Sequence, residues 1–263
     1  MGHVGMIVRD ASHLQTALSP LPAPRLPLPV TVLITGASQG LGEALALAFA
    51  GTYGRTARLA LVARSADGLA RVAAACRQRE AVAEAFPCDV TADADVEAMA
   101  QAVTARFGVP DVLVNNAGRF APGGLAETTP DAFRDLLGVN LTSAFLVTRA
   151  FLPAMVARGS GRVLMMGSVA SVRGYAGGVA YGAAKHGLLG LARSIRAETA
   201  GSGVGITTLL PGATRTPSWD GAGIPDDRFM PAEDVARVAV EIAALSGRTV
   251  VEEVLLRPDA GDL

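Results

Sequence analysis

A tyrosine and a lysine four residues apart, Tyr181 and Lys185, have the clearest potential for acid–base chemistry in this sequence. Lys185 is the only lysine of the chain, since the other 22 of its 23 basic residues are arginine. The surrounding stretch, "YGAAKHG", is typical of a helix, and residues four apart lie on the same helix face. Because a nearby ammonium favours the phenolate, we expect Lys185 to lower the pKa of Tyr181 and make it a useful proton donor and acceptor.

Ser168 is the third residue for which we expect a chemical role. It ends an apolar run that reads as a strand, and from there its hydroxyl could hydrogen-bond a substrate oxygen and stabilise developing charge. Taken singly, each residue has a structural alternative: Ser168 as a helix cap, Tyr181 as a half-buried aromatic, Lys185 as a solvated helix residue. Their joint placement favours a catalytic group.

A glycine-rich turn, "TGASQGLG", follows the first apolar run and precedes an apolar helix. Glycines let the backbone approach a pyrophosphate, and the free N–H groups of a helix start attract its charge. The alternative is a tight turn without a ligand, but the position between strand and helix favours nucleotide binding. The residues expected to bind there are Gly36, Ser38, Gln39, Gly40, Leu41 and Gly42.

Two residues at the ends of the next strands bear on the choice of nucleotide. The second strand ends in "VARS", so Arg64 stands where an NAD-binding protein would carry an acid for the ribose hydroxyls. A guanidinium grips a phosphate, which favours NADP(H) over NAD(H), although a solvated arginine is the alternative. Asp89 ends the third strand, where it could hydrogen-bond the adenine or cap a turn.

Seven short apolar runs alternate with longer helical stretches from residue 29 onward. The strands are predicted at 30–36, 58–64, 84–90, 111–118, 161–168, 205–212 and 251–258. Near-continuous apolar strands are typical of sheets that helices cover on both faces. The pattern predicts an α/β fold with a Rossmann-type, doubly wound parallel sheet, and a ligand at the carboxyl ends of its strands.

The composition predicts a single domain over residues 29–263, preceded by a proline-rich extension at 1–28 that we expect to be disordered. The net charge is −1 and no basic cluster is visible, which disfavours nucleic acid as a partner. No apolar run reaches the roughly 18 residues that a membrane span requires, so no membrane is expected as a partner. Cys76 and Cys88 fit neither a disulfide framework nor a metal site, and no secretory signal is recognisable, so a cytoplasmic location is expected.

Several short motifs occur in the order of a known family. They are "TGASQGLG", "CDV" at 88–90, "NNAG" at 115–118, Asn140 in "GVNLTSAF", Ser168, "YGAAK" at 181–185 and "PGATRT" at 211–216. Over residues 30 to 258 the chain resembles the short-chain dehydrogenase/reductase family. The resemblance implies an oxidoreductase that transfers hydride between NADP(H) and a carbonyl or secondary alcohol.

The resemblance also assigns roles. Tyr181 would be the general acid/base, Lys185 would bind the nicotinamide ribose, and Ser168 would polarise the carbonyl. Asn140 would hold a water in the proton relay. Further cofactor contacts implied by the family are Val90, Asn115, Asn116, Ala117, Gly118, Pro211, Gly212, Thr214 and Thr216.

The substrate side is less determined by the sequence. A glycine-rich and proline-rich segment near 213–231 is expected to form the substrate lid, and its shortness suggests an open site. Candidate substrate contacts are Arg119, Phe120, Arg173, Tyr175 and Trp219, each of which could equally be a surface or packing residue. A reductase of 3-oxoacyl thioesters and a non-catalytic nucleotide-binding regulator remain alternatives. The apolar segments 131–157 and 181–200 suggest a homotetramer or homodimer, as is common in the family.

Overall fold

Seven parallel strands form one sheet in the part of the chain that the computed structural model describes, residues 26–262. The extension expected at 1–28 lies outside the described residues, except for its last three. The strands are β1 (Val30–Thr35), β2 (Ala57–Ala63), β3 (Val82–Pro87), β4 (Val112–Asn115), β5 (Gly161–Met166), β6 (Val204–Pro211) and β7 (Glu253–Leu256).

The strand order is β3-β2-β1-β4-β5-β6-β7, and every neighbouring pair is parallel. The chain therefore builds the sheet outward in one direction from β1 and then returns to build outward from β4. Crevices for ligands form at such a switch point, beyond the carboxyl ends of the strands. The predicted doubly wound parallel sheet is confirmed.

Helices cover both faces of the sheet. They are α1 (Gly40–Tyr53), α2 (Ala66–Arg77), α3 (Asp93–Phe107), α4 (Pro130–Leu137), α5 (Ser143–Arg158), α6 (Val179–Glu198) and α7 (Ala232–Ala243). One core lies between the sheet and α1, α2 and α7, and the other between the sheet and α3, α5 and α6. Every residue of β1 and of β6 is buried, which explains why these strands are apolar on both faces.

A π-helical turn at 138–142 joins α4 to α5, and Asn140 lies in it, buried. Such turns insert an extra residue into a helix and are frequent at functional sites. The continuous helix Pro130–Arg158 is long and apolar enough to cross a membrane by length and composition alone, although its apolar stretches are interrupted by polar residues and none reaches roughly 18 residues. Phe151 and Met155 of this helix are fully buried in the core on the sheet, which is the packing of a core helix.

Arg162 on β5 is a buried arginine whose partners are carbonyls. Its Nη2 donates to the carbonyls of Leu245 and Ser246 at 2.8 and 2.7 Å. Burial lowers the pKa of Arg162 from its ordinary value. Gly205 on the neighbouring strand leaves the room that this side chain needs, because a Cβ there would lie 2.4 Å from Arg162 Nη1. The residue fastens the segment after α7 to the sheet.

Candidate active site

A cleft of about 910 Å³ opens at the carboxyl ends of the strands, where the strand order reverses. It brings together residues from the glycine turn, the ends of β2 to β6, helix α6 and the lid. The predicted site residues that line it are Gly36, Ser38, Gln39, Gly40, Leu41, Gly42, Arg64, Asp89, Val90, Asn116, Ala117, Gly118, Asn140, Ser168, Tyr181, Lys185, Pro211, Gly212, Thr214 and Thr216. The five candidate substrate contacts, Arg119, Phe120, Arg173, Tyr175 and Trp219, line it as well.

Tyr181 and Lys185 stand one helical turn apart in α6 and both face the cleft. The Lys185 Nζ lies 5.6 Å from the centre of the Tyr181 ring and donates to the Met166 carbonyl at 2.7 Å. An ammonium has three donors, so two remain for a ligand in the cleft. Met166 was missed by sequence reasoning, because a backbone carbonyl at a strand end leaves no trace in residue type.

The protonation of this pair differs from the expectation. Burial raises the pKa of the Tyr181 phenol above its ordinary value of 10, and an interaction with Ser168 opposes this rise. Burial lowers the pKa of Lys185 to about 8. The predicted lowering of the Tyr181 pKa by Lys185 is therefore absent, since both groups are removed from water and each disfavours its charged form. Tyr181 stands in the cleft as a neutral phenol that can donate a proton.

Ser168 follows β5, and its hydroxyl can both cap a helix and hydrogen-bond a substrate. It caps a short 3₁₀ turn, Val169–Ser171, with its Oγ accepting from the Ala170 N–H at 3.2 Å. Ser171 returns the contact by accepting from the Ser168 N–H at 3.2 Å. The cap uses a lone pair of the Ser168 oxygen and fixes its position, while the hydroxyl hydrogen stays available for Tyr181 or a substrate oxygen.

Asn140 uses both ends of its side chain to contact neighbouring backbone. Its Nδ2 donates to the carbonyls of Arg119 and Leu136 at 3.0 and 3.1 Å, and its Oδ1 accepts from the Arg119 N–H at 3.2 Å. The side chain thus fastens the loop after β4 to the π-helical turn, and the role of Asn140 in holding a water stays a prediction. Gly118 is required beside it, since a Cβ at this residue would lie 2.6 Å from Asn140 Oδ1.

The glycine turn is closed by contacts that explain its sequence. A Cβ at Gly42 would lie 2.1 Å from the Gly36 carbonyl oxygen, so only glycine lets α1 start this close to β1. The turn is braced from β4 by Asn116, whose Nδ2 donates to the Thr35 carbonyl at 3.0 Å. The Thr35 Oγ1 in turn accepts from the N–H groups of Asn116 and Ala117, both at 3.0 Å.

Asn115 does not take part in the cleft, which corrects its expected cofactor contact. Its side chain is buried behind the sheet end, where Nδ2 donates to Thr148 Oγ1 at 2.8 Å and contacts the Met165 sulfur at 3.3 Å. Alternation along the strand explains the difference, because successive side chains of β4 point to opposite sides. Asn116 is the member of the pair that faces the cleft.

The far end of the cleft, away from Tyr181, carries the basic group expected there. Arg64 is exposed, and within residues 26–262 it forms no ion pair. Its neighbour Ser65 caps α2 by accepting from the Gly68 N–H at 3.2 Å, so a helix amino terminus faces the same place. Ser65 was missed, although a serine directly before a helical stretch signals a cap.

Asp89 lines the same end and also forms the turn that was its alternative role. Its Oδ1 accepts from the N–H and the hydroxyl of Thr91 at 3.0 and 2.7 Å. These hydrogen bonds hold the pKa of Asp89 below its ordinary value, with a smaller contribution from the charge of Arg64. The turn expected as the alternative is thus present, and the hydrogen bond from Asp89 to the adenine stays a prediction.

The lid between β6 and α7 is tied together at its ends and carries Trp219 to the loop after β4. Its ends are paired, since the Arg215 N–H donates to the Met230 carbonyl at 2.8 Å and the Met230 N–H to the Ala213 carbonyl at 2.9 Å. Trp219 at its tip lies nearly parallel to Phe120 from the β4 loop, with ring centres 6.5 Å apart. Phe120 stands edge-on to Tyr181 at 5.3 Å.

Three arginines at the substrate end lie beside two acids that sequence reasoning missed. Arg173 contacts Asp262 at 2.7 Å, and Arg257 reaches the same Oδ2 at 3.0 Å. Arg119 lies 3.8 Å from Asp135 on α4. Asp262 follows the last strand at the end of the chain, where no local pattern indicates its neighbours, so only the fold reveals this contact.

Comparison with known proteins places this fold and cleft in a family. The family model described as short chain dehydrogenase matches residues 30–223, and the chain belongs to the short-chain dehydrogenase/reductase family. Sepiapterin reductase of Chlorobaculum tepidum is 35% identical over 244 residues, covering 88% of this chain and 97% of the relative. The 3-oxoacyl-[acyl-carrier-protein] reductase FabG of Salmonella typhimurium is 31% identical, covering 85% of this chain and 93% of the relative.

A solved structure shows the same architecture. The alcohol dehydrogenase of the archaeon Thermococcus sibiricus, complexed with 5-hydroxy-NADP, superposes with a TM-score of 0.80 at 31% identity. The match covers 88% of this chain and 97% of that one. Thus the resemblance stated from the motifs is confirmed at the level of the family and the fold.

Proposed function

We propose that this protein is an NADP(H)-dependent oxidoreductase that transfers hydride between the nicotinamide and a carbonyl or secondary alcohol. The observation that carries the proposal is the convergence of Ser168, Tyr181 and Lys185 at one end of a dinucleotide-shaped cleft, with the glycine turn and Arg64 at the other. A non-catalytic regulator of the same fold would not need this convergence.

The residues of the cleft fit an NADP(H) molecule. At Gly42 and Gly118 any side chain would fill space beside the cleft, and the donors of Lys185 are free to reach ribose hydroxyls. Arg64 and the amino terminus of α2 suit a 2′-phosphate, and the Thermococcus structure carries an NADP derivative. When bound, the cofactor supplies or accepts the hydride.

The chain's own residues supply position and proton. Ser168, held by its cap, directs its hydroxyl at the carbonyl oxygen. Tyr181 is held as a neutral phenol by burial and is ready to protonate that oxygen, which suits the reductive direction. Lys185 holds the ribose and places a positive charge beside the phenol as the proton leaves.

A reductase of 3-oxoacyl thioesters is the second candidate, favoured by the likeness to FabG of Salmonella typhimurium. The test is an absorbance assay at the nicotinamide band with ketones, aldehydes, a 3-oxoacyl thioester and secondary alcohols, each with both cofactors. We expect oxidation of NADPH by a ketone or aldehyde. A preference for NADH would contradict the role of Arg64, and turnover of the thioester alone would favour the second candidate.

A homotetramer or homodimer is part of the proposal. The helix Pro130–Arg158 is strongly apolar, yet only 44% of its most apolar stretch of 18 residues is buried within one chain. Phe145 and Val156 on α5 are 45% and 37% exposed. A second copy packed on α5 and α6 would cover this surface. Sedimentation at micromolar concentration should show an oligomer, and a monomer would contradict it.

A cytoplasmic location is proposed on the state of the cysteines. Cys76 and Cys88 are free and buried, and burial raises the pKa of each thiol to about 11. Thiols of this kind suit a reducing compartment, which also maintains reduced cofactor. Fractionation of the source cells should recover the protein with cytosolic markers, and recovery with exported proteins would contradict the proposal.

A further inference from the structure

We infer that the substrate is an uncharged carbonyl compound carrying a flat aromatic group, and that Phe120 and Trp219 select it. This inference rests on the proposed function, since it names the substrate class for the same site. Two observations carry it: an aromatic wall that begins at the reacting tyrosine, and an acid beside each arginine that lines the substrate side of the cleft.

The aromatic wall consists of Phe120, Trp219 and Phe229. Phe120 stands edge-on to Tyr181, with ring centres 5.3 Å apart and planes at 89°. Trp219 lies nearly parallel to Phe120, at 20° and 6.5 Å, and Phe229 backs Trp219 at 5.2 Å. Phe120 is 43% exposed although it lies inside the cleft, so its ring offers apolar surface to a ligand.

The lid holds Trp219 in this place through Arg215. The guanidinium of Arg215 contacts Asp220 and Asp226, both at 2.8 Å, and lies 6.0 Å from the centre of the Phe229 ring. Arg215 precedes Trp219 in the lid and both acids follow it, so these ion pairs join the two halves of the loop. A wall that is formed without a ligand can select by shape, because little ordering is left to occur on binding.

The charges beside this wall are compensated. Arg173 is paired with Asp262, and Arg119 lies near Asp135. Lys185 donates to the Met166 carbonyl, and its remaining donors are assigned to the nicotinamide ribose in the proposed function. The described residues of the cleft therefore leave no unpaired arginine near Tyr181 for a carboxylate or a phosphopantetheine arm. A substrate with an aromatic ring suits the aromatic wall, and a substrate without charge suits a cleft that has no unpaired arginine near Tyr181.

The test compares two ketones that differ only in the flatness of the ring, 4-phenylbutan-2-one and 4-cyclohexylbutan-2-one. In both, a two-carbon spacer separates the ring from the carbonyl, so the reactivity of the carbonyl is matched. The cyclohexyl compound is the more apolar, so hydrophobicity alone would favour it. We expect kcat/KM for the phenyl ketone to be higher by about fivefold to tenfold, the scale of aromatic contacts.

Variants of the wall connect this preference to named residues. Trp219→Leu and Phe120→Leu should each bring the ratio of the two kcat/KM values close to one, while Trp219→Phe, which keeps a flat ring, should retain most of it. The charged analogue 4-(3-oxobutyl)benzoate should be at least about tenfold poorer than the phenyl ketone, because its carboxylate finds no free cation. A ratio near one in the unchanged protein, or an unchanged ratio in both leucine variants, would overturn the inference.

A binding measurement separates this inference from the proposed function. Trp219 is the only tryptophan in the chain, so tryptophan fluorescence reports on the wall itself. With saturating NADP+, where a ketone cannot be reduced, 4-phenylbutan-2-one should change the emission, and its dissociation constant should rise in Phe120→Leu. Binding without turnover of any carbonyl would refute the proposed function alone. Turnover without a fluorescence change or ring preference would refute the substrate class alone.

Discussion

Replacing Lys185 with methionine should stabilise the folded protein near neutral pH while removing its activity. Lys185 is buried in the catalytic cleft, with 4% of its surface exposed, and burial lowers its pKa from 10.5 to about 8. Its proton is thus held more weakly in the folded chain than in the unfolded chain. Methionine has a similar length and flexibility and no charge, so it can fill the same space.

The magnitude follows from the two pKa values. The difference between 10.5 and about 8 corresponds to roughly 3 kcal/mol of destabilisation of the folded state wherever the lysine is charged in both states, which is below pH 8. The variant also loses the hydrogen bond to the Met166 carbonyl, which costs about 1 kcal/mol or somewhat more and offsets part of this gain in stability. We therefore expect Lys185→Met to raise the free energy of unfolding at pH 7 by about 1 to 2 kcal/mol.

The pH dependence has a definite sign. A lysine with a lowered folded pKa costs stability at low pH, and this cost disappears as pH rises from about 8 towards 10.5. The stability of Lys185→Met relative to the original protein should therefore fall by roughly 2 to 3 kcal/mol between pH 7 and pH 10, so that the variant is the more stable protein at pH 7 and the less stable one at pH 10. Titration of the cysteines occurs in both proteins and cancels from the difference.

Urea unfolding of both proteins without cofactor, at pH 7 and pH 10, measures this difference. NADPH turnover at pH 7 measures the loss of activity. A variant less stable than the original protein at pH 7, or a difference in stability that does not change with pH, would refute the account of a strained buried ammonium.

Three further changes test separate parts of the structure. Gly118→Ala should weaken cofactor binding and turnover at least about tenfold, because its Cβ would meet Asn140 Oδ1. Gly138→Ala is the control and should not weaken them, since a Cβ at Gly138 would point into open space. Equal effects of the two changes would contradict this reasoning. Arg64→Ser should raise the dissociation constant of NADPH about tenfold or more and leave that of NADH nearly unchanged, and equal losses would remove the phosphate role. Arg162→Leu should lower the free energy of unfolding, measured in urea, by about 2 to 4 kcal/mol. Arg58→Leu, at an exposed arginine, should lower it by less than about 0.5 kcal/mol. An equally small cost for Arg162→Leu would show that its contacts with the carbonyls are unimportant.

The strands and the glycine turn could be predicted because their causes are local. A strand covered on both faces must be apolar at every position, and a helix that starts against a carbonyl must start with glycine. The predicted strands overran the observed ends at several carboxyl ends, as at Gly36 and Ser168. At those places the apolar run passes into the loop that carries the site.

The protonation of the site could not be predicted from spacing. Two groups four residues apart in a helix share a face, but the pKa of each depends on how much water the surrounding protein removes. Lys185 turned out to be buried against the Met166 carbonyl, and Tyr181 to be a neutral phenol. The occupied side chain of Asn140 and the paired ends of the lid likewise depend on contacts between distant segments.

The most direct test of the proposed chemistry is Tyr181→Phe, measured by single turnover and by cofactor binding on the same preparation. The change removes one hydroxyl and keeps the ring that Phe120 packs against. With a ketone that the original protein reduces, the account predicts a fall in the rate of NADPH oxidation of at least about a hundredfold and a dissociation constant for NADPH within about threefold of the original. Retention of more than about a tenth of the rate would contradict Tyr181 as the proton donor.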